Sequence, residues 1–409
     1  MLVNKIKSFI RSNTFLQKLI ESFFGRISYL VFSLLFSLIA TRIYGVEIFG
    51  TYTYAFTLVT ILMIPAKAGL DNGIMYSVPK HRYKHISFSF LINLLISLVL
   101  MIGFMVIYED PFIRFMLPLI WLASTEQLFF SMYRVDGKIK EFYFINGFLA
   151  ILLRVILLVV FYYVLGESSY SLGLAVYASF VFANIIYFTQ QRGKFRKVEK
   201  DFDYLKYSFP LIFATLMSTL INKVDIIMLG NMTTNKEVGI YQITFQVSST
   251  ISLFLFVLNT VFAPRISKLY HNNNLPQLRS TYVNTTRALA LSAFVYFLFL
   301  VVFDDFILGM FGKEVIEGGT AMLYRNIGQV VNVSVGSVWL MLSMTGKPKF
   351  QMYANLFAFI VNIVLNLLII PKYGMNGAAF ASMVSIVITN LFGYIVVSRR
   401  FNIKVYKLF

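Results

Sequence analysis

The distribution of cations among long apolar runs constrains this chain more than any other feature. Apolar runs fall at about 20–41, 50–73, 86–107, 112–132, 142–164 and 170–189. They resume at about 205–230, 238–264, 283–303, 320–345, 350–371 and 376–398. Each is near the ~20 residues that a helix needs to cross the hydrocarbon core of a bilayer. With Arg114, Lys206 and Arg287, near run ends, counted with the adjoining gaps, 26 of the 36 Lys and Arg residues lie at the two ends and in alternate gaps between runs, 5 in the remaining gaps and 5 inside runs. Cytoplasmic loops collect Lys and Arg, so the basic side is expected to be cytoplasmic. Both ends then face the cytoplasm, which demands an even number of spans, and removing any one run breaks the alternation. The opposite loops carry Glu109, Asp110, Asp304, Asp305, Glu314 and Glu317, which is consistent, although carboxylates contribute little to topology.

Composition agrees with this reading. Hydrophobic residues make up 58% of the chain and charged ones 13%, against about 25% charged in soluble domains. The net charge of +18 could point to nucleic acid, but it resolves into +20 on the basic side, −4 on the other and +2 within the runs. No nucleic-acid partner is expected. The absence of cysteine excludes disulfides and Cys-ligated zinc or iron–sulfur centres. Met1 to Ile20 is basic and partly amphipathic without a small-residue cleavage site, and is expected to be a surface helix leading into the first run rather than a signal peptide. The longest polar interruption, Gln190 to Tyr207, is too short for a folded catalytic module. The expected fold is an all-α integral membrane protein of about twelve helices. Residues 1–189 and 205–409 would form two six-helix lobes joined by a basic cytoplasmic linker, 190–204.

An internal echo supports the two halves. The second run opens Gly50-x-Tyr52-x-x-x-Phe56 and the eighth Gly239-x-Tyr241-x-x-x-Phe245; the sixth opens near Gly173-x-Ala175 and the twelfth near Gly377-Ala378-Ala379. Six spans per half gives the halves one orientation, related by an axis along the membrane normal.

Several stretches, in order, resemble a family. They are Arg42-Ile43-Tyr44-Gly45 followed by Gly50-Thr51-Tyr52, Lys223-Val224-Asp225 through Leu229-Gly230, and Glu237-Val238-Gly239-Ile240-Tyr241. The most specific is Asn362-x-x-x-Asn366 followed by Ile370-Pro371-Lys372-Tyr373-Gly374-Met375-Asn376-Gly377-Ala378-Ala379. Together they resemble O-antigen and capsule repeat-unit flippases, in the polysaccharide transporter family of the multidrug/oligosaccharidyl-lipid/polysaccharide (MOP) superfamily. The resemblance implies movement of an undecaprenyl-pyrophosphate-linked oligosaccharide to the outer leaflet of a bacterial inner membrane. It implies rocking of two lobes, ion coupling, and a polysaccharide polymerase and chain-length regulator as partners.

Eight ionisable residues fall within runs: Arg26, Lys67, Asp71, Glu126, Arg154, Lys223, Asp225 and Arg325. Each costs at least ~2.5 kcal/mol in hydrocarbon, so each should face a wet interior or a partner. Five cations against three carboxylates suit a pyrophosphate, whose oxygens Arg can bind bidentately. Arg154 and Arg325 are the leading candidates for that contact, with structural pairing the alternative; Arg26 and Lys223 follow. Lys67 and Asp71, four apart, read as a local ion pair. Glu126, Asp225 and Asp71 are candidates for coupling or for structural pairing. Asn355, Asn362 and Asn366 share one face of the eleventh run, and Gln329 lies one turn from Arg325; these amides could line a cavity or bond neighbouring helices.

No catalytic residue, metal site or cofactor is expected. His81, His85 and His271 lie in loops, and the stretch Gly374–Gly377 lacks the Lys-Ser/Thr of a phosphate-binding loop. The competing transporter reading is a multidrug exporter of the same superfamily, which would favour an anionic, aromatic cavity. A membrane glycosyltransferase or polymer-assembly component would need a carboxylate cluster in a sizeable loop, which the chain lacks.

Overall fold

The computed structural model describes residues 14–81, 83–199 and 202–406. The expected surface helix in Met1–Ile20 lies mostly outside them. The described chain is helical, and its backbone separates into two compact units, Met1–Thr219 and Leu220–Phe409. The division falls inside the helix that follows the basic linker.

In the first unit, α1 runs Thr14–Ala66, α2 Leu70–His81, α3 Ile86–Ile107, α4 Pro111–Met116 and α5 Leu119–Val135. They are followed by α6 (Ile139–Phe144), a π turn (Ile145–Ala150), α7 (Ile151–Leu165), α8 (Ser169–Gln191) and α9 (Phe202–Ser208). The helix α10 (Pro210–Met232) crosses the division. The second unit holds α11 (Asn235–Ser249), α12 (Leu253–His271), α13 (Leu275–Val302) and α14 (Asp304–Phe311). It ends with α15 (Gly319–Ser334), α16 (Val338–Met344) and α17 (Lys349–Phe401). Each apolar run of the sequence lies on one or two of these helices. Among the described residues nine helical segments are long and apolar enough to cross a membrane.

The helices are built for an apolar solvent. Along α3, Leu91, Leu95, Leu98, Val99, Ile102 and Val106 face outward, while Ser89, Asn93 and Ser97, spaced four apart, are buried. A water-soluble helix shows the reverse pattern. Here apolar side chains can face lipid, and polar ones must find partners inside. Asn93 does so through Nδ2, which donates to Ser124 Oγ at 2.7 Å and to the Ala66 carbonyl at 3.1 Å. Its Oδ1 accepts from Thr125 Oγ1 at 3.1 Å. The protein is therefore a multi-pass membrane protein.

Two long helices contain breaks at glycines whose backbone angles suit no other residue. Gly45 in α1 has φ 78° and ψ 162°, and Gly374 in α17 has φ 53° and ψ −132°. At 53 residues, α17 would be roughly 80 Å long if straight, far beyond one ~30 Å hydrocarbon core. The break at Gly374 divides it into two helical segments, which coincide with the separate runs 350–371 and 376–398. The newly exposed N–H of Met375 donates to Glu237 Oε2 at 2.6 Å, which caps the second segment.

The second run departs from expectation. A continuous helix over 50–73 would put Lys67 and Asp71 on one face by spacing alone. Instead α1 ends at Ala66, α2 starts at Leu70, and Ala68 and Gly69 take φ of 50° and 68°. The expected ion pair is present, with Lys67 Nζ 2.6 Å from Asp71 Oδ2, but it bridges the break rather than decorating a helix.

The basic linker is fastened to the first unit. The Phe195 ring lies 4.9 Å from that of Phe90 and 5.4 Å from that of Phe188. Lys194 pairs with Asp136, which also accepts from Tyr83 Oη at 2.9 Å. Ser87 Oγ donates to the Arg196 carbonyl at 2.6 Å and accepts from the Arg196 N–H at 3.0 Å.

Candidate functional site

In the first unit, the π turn at Ile145–Ala150 changes the register of the fifth span. Asn146, Ala150, Ile151 and Arg154 come to line one cavity of about 320 Å³, together with Glu126 of α5 and Ser179 of α8. Arg154 Nε donates to Ser179 Oγ at 2.9 Å. Its guanidinium carbon lies 5.3 Å from the Phe180 ring centroid and 5.6 Å from that of Phe36, two contacts that hold a cation in an apolar setting. Glu126 is buried and lines this cavity beside Asn146 and Arg154. Phe56, the last residue of the first repeat motif, lines the same cavity, 6.1 Å from Phe180.

In the second unit, Asp225 of α10 is the hub of a buried polar cluster, with a relative exposure of 2%. Its Oδ1 accepts from Asn366 Nδ2 at 2.8 Å. Its Oδ2 accepts from Tyr241 Oη at 2.8 Å and from Ser382 Oγ, and lies 3.9 Å from Arg325 Nη1. Asn366 also donates to Asn362 Oδ1 at 3.1 Å. Arg325, 3% exposed, has its guanidinium carbon 4.6 Å from the Phe245 ring centroid. Lys223 Nζ lies 5.7 Å from the same centroid. The motif aromatic Phe245 therefore sits against Arg325, and its counterpart Phe56 shares the first-unit cavity with Arg154.

The structure thus gathers Asp225, Arg325, Asn362 and Asn366 into one cluster and Glu126 and Arg154 into another. Asp71 stays with Lys67. Gln329 accepts from Asn332 Nδ2 at 3.2 Å, and Asn355 is half-buried on α17 with neither cluster. Arg26 lies on α1, but its side chain is outside the described residues. Asp71 and Asp225 each have a cation within 4 Å, Lys67 and Arg325, whereas Glu126 shares a cavity with Arg154. Tyr241, Ser382, Ser179 and Asn146 were absent from the sequence-derived set. Tyr241 was already marked by the repeat motif, whereas nothing local to Ser382 or Ser179 distinguishes them from the many hydroxyls of membrane helices. Among the described residues no three His, Asp or Glu side chains converge as metal ligands.

Comparison with known proteins agrees with this architecture. The family model described as polysaccharide biosynthesis protein matches residues 16–270, and the MatE model matches residues 210–368. A curated relative, the probable low-salt glycan biosynthesis flippase Agl15 of Haloferax volcanii, is 23% identical over 184 residues. That match covers 44% of this chain and only 38% of the relative's length. Among solved structures, an inward-facing multidrug resistance MATE family transporter of the MOP superfamily superposes with a TM-score of 0.76 at 12% identity, over 91% of this chain and 94% of that one. The lipid II flippase MurJ in an inward closed conformation gives 0.75 at 15% identity, over 93% and 87%. The fold is that of MOP-superfamily transporters, and by the model that matches well over half its length this chain belongs to the polysaccharide biosynthesis protein family.

Proposed function

We propose that this protein is a flippase that moves an undecaprenyl-pyrophosphate-linked oligosaccharide, an O-antigen or capsule repeat unit, from the cytoplasmic to the outer leaflet of a bacterial cell membrane. In this reading twelve spans form two lobes, 1–189 and 205–409, with both ends cytoplasmic, and transport proceeds by alternating access. A polysaccharide polymerase and chain-length regulator would act on the delivered unit. The observation that carries the proposal is Arg154 at the wall of the first-unit cavity. With Nε committed to Ser179, its two terminal nitrogens are what the side chain can offer a ligand, and they suit phosphate oxygens. Lys223 is a second candidate contact. Arg325 is committed to Asp225 and acts within that cluster.

Glu126 and Asp225 are the candidate coupling carboxylates: Asp225 is buried 3.9 Å from Arg325, a hold that a transported ion could replace, and Glu126 is buried on a cavity that it shares with Arg154. Multidrug export is the second reading, favoured by the MATE fold and by the aromatic lining of Phe56, Phe142 and Phe180 around Glu126. A cationic drug would have to sit beside Arg154, which argues for the anionic lipid-linked cargo.

Arg154→Ala should abolish translocation of a lipid-linked oligosaccharide in proteoliposomes, while Arg154→Lys keeps a fraction of it. Translocation at the wild-type rate by folded Arg154→Ala would remove the anion-binding role.

A further inference from the structure

Glu126 stands apart from the other two carboxylates within runs. Asp71 lies 2.6 Å from Lys67, and Asp225 lies 3.9 Å from Arg325. Among the described residues no cation pairs directly with Glu126, although the residue is only 7% exposed. Its carboxylate is not closed off. Neither oxygen is among the sealed, unmet polar atoms of the described residues, and the side chain lines the first-unit cavity of about 320 Å³. Arg154, half-buried on the same cavity, has Nε on Ser179 Oγ at 2.9 Å. An acid and an arginine thus share one chamber without closing on each other. A carboxylate kept there without a direct partner is costly, and its place on the lining points to a partner that a ligand brings.

The chemistry of this set narrows the ligand. Inorganic phosphate would satisfy Arg154 and be repelled by Glu126, and an organic cation would do the reverse. A group with phosphoryl oxygens at one end and hydroxyls at the other matches both. The two oxygens of a carboxylate can accept from a pair of neighbouring hydroxyls. Gln127 and Asn146, on the same lining, can donate to or accept from others. Phe142 and Phe180 offer ring faces on which the apolar C–H face of a pyranose can rest. Phe142 is held in place by Tyr187, ring centroids 5.1 Å apart at an interplanar angle of 16°. The volume is at the low end of the ~300–1,000 Å³ of small-molecule sites, which suits one sugar with its phosphate rather than a whole repeat unit.

We propose that this cavity takes the sugar joined to the pyrophosphate, with Arg154 on phosphoryl oxygens and Glu126 accepting from the ring hydroxyls. Glu126 is then a specificity residue. A neutral sugar with free hydroxyls fits, whereas a uronic acid sets a second carboxylate against Glu126 away from bulk water and is rejected. The inference rests on the flippase reading and names the class of its first sugar. It assigns Glu126 to the cargo and leaves Asp225 for ion coupling.

Saturation-transfer NMR titrations on the full chain in nanodiscs test it, with glucose 1-phosphate and glucuronic acid 1-phosphate as probes. The wild type should bind glucose 1-phosphate about tenfold more tightly, as expected for one like-charge contact partly screened by water. Glu126→Gln should remove that preference by raising the affinity for glucuronic acid 1-phosphate, a gain that a misfolded protein cannot give. Arg154→Ala should lose both probes, and Glu141→Gln, outside the lining, should keep the preference. Equal binding of the two probes by the wild type, binding of neither, or an unchanged preference in Glu126→Gln overturns the assignment. Leaflet transfer of oligosaccharide lipids whose first sugar is neutral or uronic is measured in parallel. Transfer of both at one rate sinks this inference and leaves the flippase reading. Transfer of neither, with the sugar-phosphate preference intact, sinks the flippase reading and leaves the sugar-phosphate site.

Discussion

At the scale of single residues, the Asp225 cluster shows how an ionisable group is kept inside a membrane protein. Its carboxylate accepts from Asn366, Tyr241 and Ser382 and faces Arg325. Removing one partner of such a buried pair leaves the other uncompensated, typically at a cost of about 3–5 kcal/mol. Asp225→Ala should therefore lower the thermal midpoint of the purified protein sharply, and Asp225→Asn, which can still accept hydrogen bonds, should lower it less. Equal midpoints for Asp225→Ala and wild type would show that the cluster contributes nothing to stability. Most of these residues were legible as outliers, because charges and amides are rare in apolar runs. Their grouping was not. Asp225, Arg325 and Asn366 lie on α10, α15 and α17, far apart in the chain, and only packing decides that Arg325 meets a carboxylate while Arg154 lines a cavity.

At the scale of elements, apolar length predicts where helices lie but says little about where they break. Pro65 and Gly69 sit in one apolar run, and the helix interruption at Lys67–Gly69 has no stronger local signal than the proline that α17 tolerates at Pro371. Gly374 is a sharper case. A Cβ there would meet Glu237 Oε2 at 2.0 Å, and its φ of 53° with ψ −132° is a region that side chains avoid. Strain of this kind costs of order 1–3 kcal/mol, before the displaced Glu237 gives up the Met375 N–H. Gly374→Ala should lower the thermal midpoint and the yield of folded protein. Gly103→Ala, whose Cβ would meet nothing within 4 Å, should be neutral or slightly stabilising in its helix. If the two alanine variants behave alike, the break at Gly374 does not depend on glycine. The linker is a further element that composition alone misreads. Its cations look like a solvated strand, yet Phe195 and Lys194 anchor it on the first unit.

At the scale of the whole molecule, charge segregation and apolar length account for the membrane architecture, and the ordered motifs account for the family. The cargo is the claim that most needs a direct measurement. That measurement is reconstitution of the wild-type chain into liposomes with a pyrophosphate-linked oligosaccharide lipid, reading leaflet transfer by accessibility of the sugar to a membrane-impermeant enzyme. Uptake of a fluorescent organic cation is followed in the same vesicles. The account predicts protein-dependent transfer of the oligosaccharide lipid, lost in Arg154→Ala, and no accelerated movement of the cation. Movement of the cation with the oligosaccharide lipid left in its original leaflet would contradict it.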